Sequence, residues 1–264
     1  MNNIMQKIII GLFVFICSIN GHAASSQANG EIHFSADETI KFSKQVEKSL
    51  AEKGARVFIV SRVGRPVKEL PPGFNYTHTG IGVYSIITTT DGKKIPGYTM
   101  YNLYQKNDQP DQSELIQDYP VDFFSGVHKL EAGIIIPKPE LQKRLLQVIN
   151  SDTYKDLHNP KYSAIANPFN STYQNCTEHT LDVLNAAIYN TSDIELLKTN
   201  SKEYFDAQRV KVNPFKMMLG SIFSADIAIS DHDENVETAT FTTIGEYLQE
   251  YDLVQEQFSI TLKQ

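Results

Sequence analysis

Apolar side chains recur along this chain with two spacings, and each spacing predicts its own kind of element. Phe42, Val46 and Leu50 fall on one face of a helix that runs to about Lys53. Ser35 and Glu38 form a capping-box pair ahead of it, and Gly54 supplies its stop. Residues 56–63 are rich in Val, Ile and Phe, the pattern of a buried strand. Gly64-Arg65-Pro66 and Pro71-Pro72-Gly73 then break the chain. Residues 76–89 and 97–105 read as a hairpin around Asp91-Gly92, 106–112 as a polar loop and 130–136 as a further strand. Pro139 suits the first position of a helix carrying Leu141, Leu145, Leu146 and Ile149.

The second half is more helical. A turn-rich stretch at 158–174 leads into a periodic helix over 175–189, with Leu181, Leu184 and Ile188 on its apolar face. Short helices are expected near 193–198 and 214–223, and Asp231-His232-Asp233-Glu234-Asn235 reads as an acidic turn. Thr243 and Glu246 would cap a helix through Tyr251, and 257–262 would close the fold as a strand. Neither a repeat nor a long linker interrupts 35–264. The pattern therefore predicts one α+β domain behind a loose leader at 24–34.

The first 23 residues obey a different rule. Lys7 precedes an apolar run over 8–19, and Gly21 and Ala23 are the small residues expected before a cut after Ala23. A run of that length is a signal peptide rather than a membrane span, which needs about twenty residues. Cys17 lies inside the run without the small residues that precede a lipidated cysteine. A periplasmic or secreted protein is expected, with no stable membrane insertion once the signal is cut. Composition narrows the class further. With 41% hydrophobic and 21% charged residues the chain is neither collagen-like nor low-complexity. Its net charge of −7, with no basic stripe, argues against nucleic acid as a partner.

Removal of the signal leaves Cys176 as the single cysteine, so no internal disulfide can form. An unpaired thiol in an oxidising compartment is either buried and inert or reactive. Cys176 opens the helix that follows the Asn/Pro-rich loop, where unpaired N–H groups and the helix dipole would lower a thiol pKa toward neutrality. A thiol nucleophile needs an imidazole from elsewhere in the chain. Of the histidines at 33, 78, 128, 158, 179 and 232, His78 is the best placed, in Tyr76-Thr77-His78-Thr79-Gly80-Ile81-Gly82, where the glycines permit close approach of another backbone.

These residues resemble a known pattern. Thr77-His78-Thr79-Gly80-Ile81 is similar to the His-bearing strand of NlpC-like papain-fold proteins in their circularly permuted branch, where His precedes Cys. Asn175-Cys176-Thr177-Glu178-His179 is similar to the helix start of that branch, which includes relatives of lecithin-retinol acyltransferase. The full pattern more closely resembles the exported bacterial family known as domain of unknown function 2145. Phe123-Phe124, Ala132-Gly133-Ile134-Ile135-Ile136-Pro137, the segment from Tyr173 to Glu178, and that from Thr238 to Ile244 carry this likeness, which spans about 55 to 255. The resemblance implies a papain-like, permuted NlpC-like core: an antiparallel sheet packed against the helix that bears the cysteine, with extra helices. It implies Cys176 as nucleophile, His78 as base and the Cys176 N–H as an oxyanion donor.

A papain-like site also orients its imidazole with a polar side chain from the next strand. Asn102, in 98–104, is the candidate, and that strand holds no Asp, Glu or His. His179 would lie on a neighbouring helix face, Glu178 suits the helix dipole, and Tyr173 and Gln174 are further oxyanion donors to consider. Asp231-His232-Asp233 invites a metal reading, but adjacent residues rarely complete a site, so a solvated turn is expected, with no metal and no cofactor. The expected activity is that of an exported thiol hydrolase or acyltransferase on amide or ester bonds, its partner a peptide or acyl substrate such as cell-wall peptide or lipid. The alternative is a non-catalytic periplasmic binding or assembly protein that keeps the fold.

Overall fold

A computed structural model of the protein describes residues 32–211 and 226–263. The signal segment at 1–23, Cys17, most of the leader and the helix expected near 214–223 lie outside the described residues.

Helix α1 (Ala36–Glu52) starts as its sequence predicts. Ser35 accepts from the Glu38 N–H while the Glu38 carboxylate takes the Ser35 N–H at 2.9 Å, a reciprocal cap worth about 1 kcal/mol. Gly54, at φ +65°, then turns the chain in a conformation open to a residue without Cβ. Among the described residues six strands longer than two residues follow, interleaved with helices: β1 (Val57–Val63), β2 (His78–Thr88), β3 (Lys94–Gln105), β4 (Ser113–Asp118), β5 (Lys129–Pro137) and, at the end, an edge strand at Val254–Thr261. They form one antiparallel sheet in the order β4-β3-β2-β1-β5 and then the edge strand. The helices are α2 (Pro120–Phe123), α3 (Pro139–Ile149), α4 (Thr153–Asp156), α5 (Cys176–Tyr189), α6 (Ile194–Tyr204) and α7 (Phe241–Glu250).

Alternate residues of the strands feed two cores. On one face Phe58, Val60, Met100 and Ile134 pack with Phe42 and Leu50 of α1 and with Phe123 and Phe124. On the other, Ile59, Ile81 and Ile135 pack with Leu145, Leu181, Leu184 and Leu248 from α3, α5 and α7. Every residue of β1 is buried, because helices cover the sheet on both sides there. That is why 56–63 shows no polar alternation.

Four elements depart from expectation. β4 was not foreseen: Ser113–Asp118 mixes polar and apolar residues at a sheet edge, where β3 supplies the pairing that its own pattern does not announce. Helix α6 does not stop near residue 198 but continues to Tyr204, capped by the Asp193 carboxylate on the Glu195 and Leu196 N–H groups. Helix α7 begins a turn earlier than Thr243, because Thr240 is the capping residue and Thr243, not Glu246, completes the reciprocal pair. The last strand likewise starts at Val254, ahead of 257.

Helix α5 is buried all round from Cys176 to Ala187. Its polar side chains therefore need partners inside the protein. Helix α6 brings them: Lys198 reaches Glu178 at 2.7 Å and Asp182 at 2.8 Å, and Ser201 accepts from Asn185 at 2.9 Å. The helix that begins with Cys176 is thus held on one side by the sheet and on the other by a buried ion cluster.

Candidate active site

Asn175 sets the start of α5. Its Oδ1 accepts from the Thr177 and Glu178 N–H groups at 3.0 and 2.9 Å, fixing the first turn with Cys176 in the leading position. The β2–β3 ladder begins only at the Ile81–Tyr101 pair. The N–H of Thr79 therefore has no β3 partner in the ladder, and it is directed at the Cys176 sulfur. Thr177 locks the same junction by donating from Oγ1 to Thr79 Oγ1 at 3.3 Å. The cysteine thus rests on the backbone of the residue that follows His78.

His78 opens β2 and turns to the α2 side. Its ring stacks on Tyr104 with centroids 4.6 Å apart and lies 5.5 Å from Phe123. Nε2 is 3.2 Å from Asn102 Oδ1. The amide orientation is dictated from behind. Asn102 Nδ2 donates to Asp118 Oδ1 at 2.8 Å, and Tyr104 donates to Asp118 Oδ2 at 3.0 Å. A carboxylate can only accept, so the amide must point its NH2 at Asp118 and its oxygen at the imidazole. Nε2 then carries the proton and Nδ1 the lone pair. Gly80 makes this contact sterically feasible, since a Cβ there would collide with Asn102 Oδ1. Gly82 similarly admits the Phe58 ring. The glycines of this strand make room for side chains and, at Gly80, for the Tyr101 backbone carbonyl as well.

Burial dominates the electrostatics. It drives His78 well below its ordinary value, helped by the Arg62 guanidinium and opposed by the Asn102 hydrogen bond. Arg62 is itself buried, donates to the Phe123 carbonyl and lies over the Tyr104 and Phe123 rings. The Cys176 thiol is pushed up, not down toward neutrality as its helix position alone suggests. Only 6% of it is exposed, and burial outweighs the Thr79 N–H, the Thr177 hydroxyl and Arg62. Thiol and imidazole are both neutral at rest. Asp118 is raised to about 7, chiefly by burial, with the Tyr104 hydroxyl opposing.

A cleft of about 270 Å³ opens beside the sulfur. Phe74, Tyr76 and Phe241 line one part of it, and Tyr162, Arg65 and Asp226 another. The 158–174 loop is pinned to the 226–236 segment by Asp231: its carboxylate accepts from the Asn167 N–H at 2.8 Å, and its carbonyl accepts from Asn167 and Asn170. His232 Nε2 donates to the Ile165 carbonyl at 2.9 Å. Asp231 and His232 side chains are fully inaccessible or nearly so, which replaces the expected solvated turn with a buried clasp. Among the described residues no group of three His, Cys, Asp or Glu side chains could hold a metal ion.

The remaining candidates have structural employment. Both amide ends of Gln174 are engaged, Oε1 by the Asn159 N–H and Nε2 by Leu157 and Asp182. Tyr173 pairs with Ser230 at the surface. Glu178 is not simply a helix-dipole residue but part of the buried Lys198 cluster. His179 packs against Tyr154 and His158, away from the sulfur's partners, and burial lowers it to about 3. Asp118, Arg62 and Tyr104 were missed by sequence reasoning. Asp118 belongs to the unrecognised β4, and only its alternation with Leu115 and Ile116 could have hinted at a strand there.

No curated protein and no solved structure matches the chain. A family model matches residues 49–248, which contain the whole Asp118–Asn102–His78 chain and Cys176, and the protein accordingly belongs to the family described as an uncharacterized protein conserved in bacteria, DUF2145.

Proposed function

We propose that this protein is an exported thiol hydrolase or acyltransferase with a papain-like, permuted NlpC-like core, periplasmic or secreted, acting on an amide or ester bond of a peptide or acyl substrate. The observation that carries the reading is the oriented chain Asp118–Asn102–His78. It sets the tautomer of His78, the residue just before the N–H that meets the Cys176 sulfur, and we assign the base role to its Nδ1 lone pair. As the thiol attacks, Sγ forms a bond to the carbonyl carbon, the C=O π pair moves onto oxygen and the thiol proton passes to Nδ1. Collapse of the adduct returns that pair, expels the leaving oxygen or nitrogen, and His78 gives the proton to it. Water or another acceptor then repeats the sequence on the thioester.

The pushed-up thiol favours a second reading, a binding protein that uses the same cleft with Cys176 inert. One experiment separates the two. Purified protein is assayed against muropeptides and acyl esters beside Cys176→Ala and His78→Ala. The hydrolase reading expects turnover in the parent and a fall of at least about 10³-fold in each variant. Equal turnover in the parent and Cys176→Ala, or none on any substrate with binding retained, leaves the binding reading.

A further inference from the structure

Two hydrogen-bond donors beside the sulfur are left over. Asn175 Oδ1 serves the second and third N–H groups of α5, and the Asn175 carbonyl serves His179 at 2.9 Å. The first, that of Cys176, has no acceptor among the described residues, as befits the leading amide of a helix. The second spare donor is Tyr162. A tyrosine hydroxyl within the fold usually finds a partner, and those of Tyr104, Tyr173 and Tyr247 do, whereas the buried hydroxyl of Tyr154 does not. The hydroxyl of Tyr162 hydrogen-bonds to no described residue and is not sealed, so it is open at the cleft that the residue lines.

Its position is well fixed. The Tyr162 N–H donates to the Asp111 carbonyl at 2.8 Å, and the residue bridges to Gln174, two positions before Cys176. It packs with Leu103 and Cys176, and it lines the cleft together with Cys176 and Asp226. Other polar groups near the sulfur are committed: Thr177 Oγ1 to Thr79, the Gln174 amide to the loop and Asp182. Burial above all keeps the Tyr162 phenol protonated throughout the working range.

We infer that the Tyr162 hydroxyl is a catalytic residue, the oxyanion donor that acts together with the Cys176 N–H on the carbonyl oxygen of the substrate. This rests on the thiol-hydrolase reading above. When Sγ bonds to the carbonyl carbon, the displaced π pair on oxygen accepts from both donors, and it returns to re-form C=O as the leaving group departs. The phenol proton stays on Tyr162 throughout. A donor that meets the oxygen only in the adduct stabilises the transition state more than the bound substrate.

The test compares two reactions of the same sulfur in the parent protein and in Tyr162→Phe, which keeps the ring and its packing. Acylation by p-nitrophenyl acetate builds an oxyanion; alkylation by iodoacetamide displaces iodide and builds none. The inference expects acylation to slow by about 100-fold in Tyr162→Phe, with the alkylation rate and Tm unchanged. Equal acylation in the two proteins overturns the Tyr162 role while leaving the hydrolase reading intact. Parallel loss of both rates shows a packing role and overturns it too. A parent that alkylates but never acylates, at a rate dependent on Cys176, removes the hydrolase reading and this inference with it.

Discussion

At the level of single residues, the tautomer of His78 is decided two side chains away. Asp118 holds the Asn102 amide, and the amide holds Nε2–H. Asp118 has a raised pKa of about 7, chiefly through burial, so near neutral pH it changes between an acceptor-only carboxylate and a group with a proton to donate. Protonation removes the reason for the amide to face one way. His78 itself is held well below its ordinary value and contributes no inflection in this range. Ester turnover should therefore rise with pH through about 7, with the inflection owed to Asp118. In Asp118→Asn that inflection should vanish and kcat fall about 10-fold; an unchanged inflection would assign it to another group. The places of Cys176 at a helix start, of His78 at the head of a strand and of Asn102 in the next strand were legible in the sequence, from a capping Asn, a glycine-bearing run and strand order. Asp118 was not, since a lone acid in a half-polar edge strand looks like any surface carboxylate. The direction of the thiol shift was not legible either: sequence position reports the helix dipole, and only packing reports desolvation.

Between elements, the contact that matters most for the cysteine helix is its seam with α6. The periodicity of Leu181, Leu184 and Ile188 correctly marked a helix, but it suggested one apolar face, whereas α5 is covered on every side. Its acids become tolerable only because Lys198 sits between them. One cation balances one carboxylate, and burial raises Glu178 to about 8 despite Lys198, so Glu178 is protonated at neutral pH. An acid whose pKa is raised on folding from 4.5 to about 8 contributes stability that is complete below pH 4.5 and is lost as pH rises through 8. The loss within that window runs up to about 1.4 kcal/mol per pH unit. Glu178→Gln keeps the acceptor oxygen for Lys198 and abolishes the titration. Its Tm relative to the parent should climb steadily from pH 4.5 to 8. A difference that stays flat across this interval sinks the assignment.

For the molecule as a whole, both faces of the sheet being covered has a consequence beyond packing: burial pushes acids and histidines on either side toward their neutral forms. The elements that do this were mostly legible, because α1, β1, the β2–β3 hairpin, β5, α3 and α5 follow their own periodicity. The layering and the buried clasp at Asp231–His232 were not, because they arise from contacts between segments more than sixty residues apart. The buried groups set opposite demands on pH. Glu178, Asp182 and Asp118 are raised, mainly by burial, and their contribution to stability fades as pH rises above the ordinary carboxylate range. His78 and His179 are lowered by burial, so their contribution is complete above 6.5 and is lost as pH falls below it. Between 4.5 and 6.5 the two slopes oppose each other; from 6.5 to about 8 only the acids act, and below 4.5 His179, lowered to about 3, still acts. Thermal stability should therefore peak between pH 4.5 and 6.5 and decline on both sides, which a series of calorimetric scans from pH 3.5 to 9 would reveal. A Tm that climbs monotonically to pH 8 would show that the buried acids are ionised in the folded protein, and the neutral cluster around Lys198 would have to be abandoned.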